Sequence, residues 1–546
     1  MTGSPNNHGY GHTYWFVETK DGMLYRFGYN ADSEQLNGPH DNPNGLSHAW
    51  MWGLDQVTDR HANTTQITWL QQTAVTQNNE PYTQAAYPQT MTYGGNRQIT
   101  FTYFTRPDYS AYGQGSVYSQ YYQAKALQSV QMQANGAAVR TYSFSYDPTY
   151  PVIWYDQTEN MSFVQNLPML QGRGKLLLTS IQETGADGSS TLPPTTLTYW
   201  QGQIPGTSDY YKFQLQTLSN GYGGKVTFSY EAHVPDNWWV FRRRFRTTQK
   251  QTDSGTNQGD VMTQSVIYGG NGVNVPNQYD YRGHGAVNTT DAANHVDKSY
   301  FYTYSTSRFT WGWASGGSTA KSLADVNVLA GRRYARERWA AGAGVWTSRE
   351  ETDWNYYGTS GGANFTHRDE VRTYQAGANR KTRYGYDPYG NVTVVQDFQT
   401  VASSSWDRQH TRTYQPMVNS STYIVSKPGD DTLFAAGATL VAETQYCYDG
   451  NTSSSVAPGS NGAPGDLTAV RRSLLGTGSC ADVTYTYDSY GNKASATEYG
   501  TYGTINGAFG TDLRTSNCVY ETTYHTYPWT ITNALGHQET QAYDAR

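Results

Sequence analysis

Apolar and polar positions alternate one by one over short runs along this chain, and each run closes on Gly, Asp, Asn or Pro. In "VQMQANGAAVRTYSFSYD" (130–147), Tyr142, Phe144 and Tyr146 fall on one face of an extended strand and Asn135-Gly136 marks the turn. "WFVETKDGMLYRFG" (15–28) reads the same way, with Asp21-Gly22 as a two-residue turn. A third hairpin, "LTSIQETGADGSSTLPPTTLTYW" (178–200), turns at Asp187-Gly188, and its Pro193-Pro194 breaks regular structure before the return. Strand patterns continue in "NGYGGKVTFSYEA" (220–232), "WWVFRRRFRTTQKQ" (238–251) and "YDYRGHGAVNTTDAANHVDKSYFYTY" (279–304). In "LADVNVLAGRRYARERWAAGAG" (323–344) helix and strand compete, since Gly331 and the β-friendly "RRYARERW" stand against a continuous helix. The stretches "WASGGSTAKS" (313–322) and "GTSGGAN" (358–364) read as loops, and "NTSSSVAPGSNGAPG" (451–465) as a flexible insert.

This pattern predicts an all-β fold of successive antiparallel hairpins. It divides the chain into an N-terminal hairpin region (1–205), a β-rich middle region (206–370) and a region of repeated turn phrases (371–546). Composition sharpens the picture. The 48 Tyr, 15 Trp and 16 Phe make aromatics 14% of the chain, so rings must fill the role that leucines usually take. Only 15% of residues are charged and the net charge is -6, which argues against disorder despite the scarcity of aliphatic runs. The 55 Gly and 20 Pro supply the turns that so many short strands need.

The mildly acidic balance offers no electrostatic footprint for nucleic acid. No apolar run approaches the roughly 18 residues of a membrane span, and "MTGSPNNHGYGHTYWFV" lacks the charged and apolar segments of a signal peptide. Cys447, Cys480 and Cys518 are too few and too scattered for a disulfide framework or a metal site; three free thiols is the simpler reading and one bridge the alternative.

No P-loop, HExxH, CxxC pair, nucleophile elbow or EF-hand is present, so neither catalysis nor a cofactor is expected. "GYGGKVT" (221–227) is a tight turn into a strand, lacking the spacing of a phosphate loop. Arg242, Arg243, Arg244 and Arg246 beside Trp238, Trp239 and Phe245 could hold an anion, as could the "GRRYARER" run at 331–338, but arginines packed on aromatics along a strand explain both. His8, His12 and His40 lack metal-ligand spacing. The abundant Tyr and Trp also suit sugar stacking, which keeps a surface adhesin that binds glycans or a protein partner as an alternative.

One phrase recurs. "YGYDPYGN" (384–391) and "YTYDSYGN" (485–492) share Tyr-x-Tyr-Asp-x-Tyr-Gly-Asn. In Asp387-Pro388-Tyr389-Gly390 the residue types fit a type I turn, with Gly390 free to take the left-handed conformation that returns the chain into a bulged hairpin. Asn391 follows it, and Tyr386 precedes it. Tyr487, Asp488, Gly491 and Asn492 meet the same demand. Asn533 to Gly536 is a third copy with Asn as the capping acceptor, and Asp291 to Asn294 a fourth with Asn in the glycine position. Asp59 to Ala62 is a weaker fifth, where Asn63 offers to shift the turn by one residue; Tyr543-Asp544 opens a further copy. The carboxylates are thus turn caps, not catalytic pairs. A lone hairpin is marginal in water, so the units are expected to stack side by side.

"YGYDPYGNVTVVQD", "YTYDSYGNKASATE" and "WTITNALGHQETQAYD" resemble the YD repeats of the Rhs-repeat family, which includes bacterial polymorphic toxins, toxin-complex shell components and teneurins. "NGYGGKVTFSYE", "YDYRGHGAV" and "TFTYFTRPDYSAYGQG" (100–115) resemble the stretch that precedes those repeats. The resemblance implies a spiralling β-sheet that forms part of a hollow shell around a C-terminal effector domain. It also implies an extracellular or cell-surface location, with that effector or a toxin-complex subunit as partner. No self-cleaving core segment or effector is recognised after the repeats, so the chain is expected to be part of something longer.

Overall fold

A computed structural model describes residues 14–107, 117–121, 123–147, 176–203, 211–233, 244–256, 261–269, 284–303, 327–358, 364–375, 377–419 and 422–543. His8, His12, Trp238, Trp239, Arg242, Arg243 and Asp544, the loops expected at 313–322 and 359–363, and parts of the 100–115, 238–251, 279–304 and 323–344 stretches lie outside the described residues.

Among the described residues, the strands form one open antiparallel sheet of 31 members, accompanied by two two-stranded ribbons. Apart from Gly503–Thr504, which adds beside Ser479–Tyr487, each strand of the large sheet pairs with the next along the chain, from Trp15–Glu18 to Gln538–Thr540. Pairing is continuous at both divisions drawn from the sequence: Thr195–Gln203 pairs with Tyr211–Ser219, and Asn364–Gln375 with Ala378–Tyr386. In such a meander the connections alternate between two rims. In the stretch where helix and strand competed, residues 327–329 are helical and Arg333–Trp339 is a strand.

Tyrosine explains how so polar a sheet holds together. The hydroxyl of Tyr103 donates to the carbonyl of Pro88 at 2.7 Å, Tyr146 to Leu127 at 2.7 Å, Tyr199 to Leu178 at 2.7 Å, Tyr386 to Arg368 at 3.0 Å, Tyr448 to Pro428 at 2.9 Å and Tyr487 to Leu467 at 2.8 Å. Each reaches back to the preceding strand. Each also stands immediately after a register shift in the pairing with the following strand. Trp69 and Trp354 do the same through the indole N–H, to Leu54 and Arg333. A bulge bends its strand and raises the local twist, and the ring packs while its polar tip satisfies a carbonyl. The same device recurs along the sheet. Tyr487→Phe removes one such bond and is expected to lower stability by about 1 kcal/mol, read from the urea midpoint.

The buried apolar cluster of Ala286, Tyr300, Tyr302, Leu329, Tyr334 and Ala335, with Trp354 against it, is small. Elsewhere burial is shared between scattered apolar side chains, such as Ile67, Tyr82 and Ile424, and polar ones. In the excursion between Leu24–Phe27 and Leu54–Thr58, a ribbon of Glu34–Leu36 and Ala49–Trp52 covers part of Pro81–Tyr93, and Ser33, Glu34, Gln35 and Asp55 are all buried. Burial pushes the Glu34 carboxyl up to about 7. A carboxyl raised by folding favours the fold as the neutral acid. Its contribution is therefore complete below the ordinary carboxylate range and is lost as the pH climbs through 7. Thermal unfolding followed from pH 4 to 8 should show stability declining by up to about 3 kcal/mol between the ordinary carboxylate range and about pH 7 and levelling off above it, and Glu34→Gln should flatten that slope.

The three cysteines are free thiols, Cys447 and Cys480 buried and Cys518 partly so.

Candidate functional site: two rows of turns

The turns named from the sequence share one set of bonds. At Asp387, the backbone N–H donates to the Asn391 carbonyl at 3.0 Å, and the Gly390 N–H donates to the Asp387 carbonyl at 3.0 Å. One carboxylate oxygen of Asp387 accepts from the N–H groups of Tyr389 and Asn391, at 2.9 and 2.8 Å, and the other accepts from the Asn391 side-chain amide at 2.8 Å. Gly390 takes φ 77°. This is a type I turn followed by a left-handed residue, the three-residue hairpin loop. Asp488 repeats it with Tyr490, Gly491 (φ 87°) and Asn492.

The degenerate copies keep the geometry. Asp291 accepts from the N–H groups of Ala293 and His295, both at 2.9 Å, with Asn294 at φ 63°. Asn533 accepts from Leu535 and His537 at 2.9 and 3.0 Å, with Gly536 at φ 81°. At Asp59 the turn does not shift onto Asn63. Ala62 itself takes φ 62°, held there by the Asp59 bonds to His61 and Asn63 at 2.8 and 2.9 Å. In two copies the residue four after the cap is a histidine, His295 or His537, which approaches the cap side chain as Asn391 does. The cap can also be a hydroxyl: Thr76 accepts from Asn78 and Glu80, with Asn79 at φ 60°. The first hairpin follows the same plan. Its loop runs from Thr19 to Met23 with Gly22 at φ 88°, so Asp21-Gly22 is not a two-residue turn.

The final Asn of the phrase has a second bond to make. While one N–H of Asn391 serves Asp387, its amide also donates to the Val425 carbonyl at 2.6 Å in the next connection on that rim. Asn492 likewise reaches the His525 carbonyl at 2.6 Å. Asn63 reaches the Tyr490 carbonyl at 2.9 Å, which lies 427 residues away. The phrase thus shapes its own turn and ties it to a neighbouring one.

Asn63 lies on a seam. The Lys20 carbonyl accepts from the backbone N–H groups of Val425 and Ser426 at 2.9 and 3.2 Å. Arg60 donates to the Pro464 carbonyl and lies 3.8 Å from Asp466, which also meets His61 Nε2 at 3.0 Å. Arg97 donates to the Tyr524 carbonyl at 3.3 Å and the Thr526 hydroxyl at 3.1 Å, and Asn135 to the Tyr524 hydroxyl at 2.9 Å. These contacts join turns on one rim of the early strands to turns on the opposite rim of the late ones. Their partners stand between 389 and 429 residues apart. A meander whose opposite rims meet at so steady an offset has completed a circuit and begun to lap itself. A Cβ at Gly491 would fall 2.4 Å from His61 Cδ2, so the fit is close.

The 451–465 stretch, expected to be flexible, has a set path that serves this seam. Asp449 accepts from the N–H groups of Gly459, Gly465 and Asp466 at 2.7, 2.8 and 2.9 Å, with a 3-10 turn at Ser460–Gly462 between them. Beneath it, Arg471 is wholly buried. It bonds Asp482 at 3.0 Å and the carbonyls of Thr452, Thr504, Gly507 and Ala508 at 3.0, 2.8, 3.0 and 3.1 Å, stacking on Phe509 at 4.8 Å. One guanidinium thereby fastens two long connections onto the sheet.

Of the weighed chemistry, Arg246 pairs with Glu231 at 2.6 Å and stacks over Tyr268 at 4.8 Å, while Arg336 and Arg338 both engage Asp297. His40 packs beside Tyr118. No metal-binding group of His, Cys, Asp and Glu occurs among the described residues, and no described helix is long and apolar enough to cross a membrane.

The fold is a bent all-antiparallel sheet that laps itself through rows of capped turns. Solved structures are similar to it over nearly the whole chain. The crystal structure of TcdB2-TccC3 matches with a TM-score of 0.60 at 9% identity, covering 98% of this chain and 50% of that one. TcdB2-TccC3-Cdc42 matches at 0.59 and 9%, covering 97% and 49%, and the Photorhabdus luminescens Tc holotoxin pore at 0.61 and 9%, covering 97% and 47%. The likeness is one of fold, and the chain spans about half the length of the chains it matches. No family model matches the chain, and a search of curated proteins finds no match.

Proposed function

We propose that this chain is a non-enzymatic wall segment of an Rhs/YD-repeat shell that encloses or presents a C-terminal effector domain, outside the cell or at its surface, with a toxin-complex subunit as partner. The observation that carries the reading is the seam: turns some 400 residues apart meet rim to rim, which bends the sheet around a space instead of leaving it flat. The described turn carboxylates are occupied by turn N–H groups and the buried arginine by carbonyls, so these groups serve the wall. The lap also covers turns along part of one rim. Electron microscopy of the purified protein tests this. A curved wall around an interior space is expected; a compact solid particle would overturn it.

A further inference from the structure

Three turns end in an asparagine whose side-chain amide bonds twice, and one of these amides also meets an amine. Asn391, Asn492 and Asn63 each donate to the capping carboxylate of their own turn and to a backbone carbonyl of another connection. For Asn391 both partners, Asp387 Oδ2 and the Val425 carbonyl, can only accept. The amide nitrogen must therefore face them, which turns Oδ1 the other way. There Oδ1 accepts from Lys20 Nζ at 3.5 Å, across 371 residues of chain. Among the described residues, no lysine bonds the corresponding oxygen of Asn492 or Asn63.

Amine and amide are held together from both sides. The Val425 N–H donates to the Lys20 carbonyl at 2.9 Å, while the Val425 carbonyl accepts from the Asn391 amide at 2.6 Å, so one residue fixes both partners. Asn391 is 8% exposed and Val425 1%, which shelters the meeting point from water. Gly390 leaves the amine its room: a Cβ there would fall 3.3 Å from Lys20 Nζ and 2.6 Å from the Phe365 ring. Among the described residues no carboxylate forms an ion pair with Lys20, and the hydrogen bond of its amine goes to Asn391. A sheltered amine held against a carbonyl is the arrangement in which lysine acts as a nucleophile and proximity replaces a second reactant.

We infer that Lys20 and Asn391 are the site of an intramolecular isopeptide bond that locks the seam covalently. Nζ, after giving up a proton, adds to the Asn391 Cγ; the Nζ–Cγ bond forms, the Cγ–Nδ2 bond breaks and ammonia departs. Nδ2 lies 2.8 Å from Asp387 Oδ2, so this carboxylate is the relay that takes a proton released by the attacking nitrogen and hands it to the leaving one. In sum, a lysine ammonium and a primary amide become a secondary amide and an ammonium ion, with atoms and charge conserved and no oxidant or further reactant consumed. The bond is made once, within the chain, and closes a loop that the seam otherwise holds by hydrogen bonds and ion pairs. The carboxylate that caps the turn thereby gains a second use.

The test is the intact mass of the whole purified protein under denaturing conditions, followed by peptide mapping after trypsin. The expected result is a chain lighter by one ammonia, a branched peptide joining Lys20 to Asn391, and faster migration in a denaturing gel than Lys20→Arg. That variant keeps a cation beside the amide but has no amine to acylate, and should carry the full mass of its sequence. Asp387→Asn keeps a cap of the kind Asn533 provides, so it should fold with an unchanged circular dichroism spectrum and remain unlinked. A wild-type protein of full mass, or one that has lost ammonia without yielding the branched peptide, would overturn the inference and leave the wall reading standing, since the hydrogen bonds of the seam need no link. An Asp387→Asn protein linked as fully as the wild type would overturn the relay.

Discussion

Replacing Arg471 with methionine is expected to destabilise the protein by about 3–5 kcal/mol, because breaking a buried ion pair strands its partner. Arg471 and Asp482 are both fully buried, so solvent does not reach the carboxylate to take over the guanidinium's role. The loss reaches beyond the pair. The carbonyls of Thr452, Thr504, Gly507 and Ala508 would each lose a donor, so the connections at 449–466 and 500–512 should open first. Hydrogen exchange should then rise in these two segments ahead of the rest of the sheet. Arg471→Met combined with Asp482→Leu should recover part of the loss, since no charge is stranded, but not the part owed to the carbonyls. Chemical denaturation of the three variants reads all of this; equal stability of the single variant and the wild type would show that Arg471 is not the clamp its bonds describe.

Asp55→Ala is expected to be of similar size, about 3–5 kcal/mol. The Asp55 carboxylate is fully buried and accepts from Arg26 Nε at 2.7 Å, from the backbone N–H groups of Tyr29 and Asn30 at 2.8 and 2.9 Å, and from the Ser33 hydroxyl at 2.8 Å. Removing it strands the Arg26 cation and takes the shared acceptor from the Tyr29 and Asn30 N–H groups and the Ser33 hydroxyl, the last two keeping only their bonds to each other's residue. The excursion that carries Glu34 should then unfold locally, so the pH dependence expected of Glu34 should disappear together with the stability. Asp55→Asn would keep the shape yet weaken the Arg26 bond, and should fall between wild type and Asp55→Ala.

What the sequence made legible was local. Asp387, Gly390, Asp488 and Gly491 announce their turn because cap and left-handed residue lie three apart, and composition alone points to an all-β sheet. The hydroxyl-capped Thr76 turn escaped notice because the acceptor is not a carboxylate or amide. His295 and His537 escaped because a histidine can replace the Asn at the end of the phrase. The segment 451–465 looked flexible by its Ser, Gly and Pro content; Asp449, outside it, fixes its path through backbone N–H groups that composition does not reveal. The bulge at each tyrosine, the second bond of Asn391 and the whole seam were out of reach for a different reason. They join strands or turns whose partners are named by the register and by a full circuit of the sheet, not by neighbours in the chain.

The self-lapping seam is the central claim, and a distance measurement addresses it directly. Asn96 and Thr523 lie in opposing turns at the seam, where the site of a Gly95 Cβ is 3.7 Å from the Thr523 carbonyl oxygen. With Asn96→Cys and Thr523→Cys in a Cys518→Ser background, nitroxide labels should give, by pulsed electron paramagnetic resonance, one narrow distribution at the short limit of the method. A long or broad distribution in the folded protein would mean that the rims do not meet, and the spiral wall would have to be abandoned.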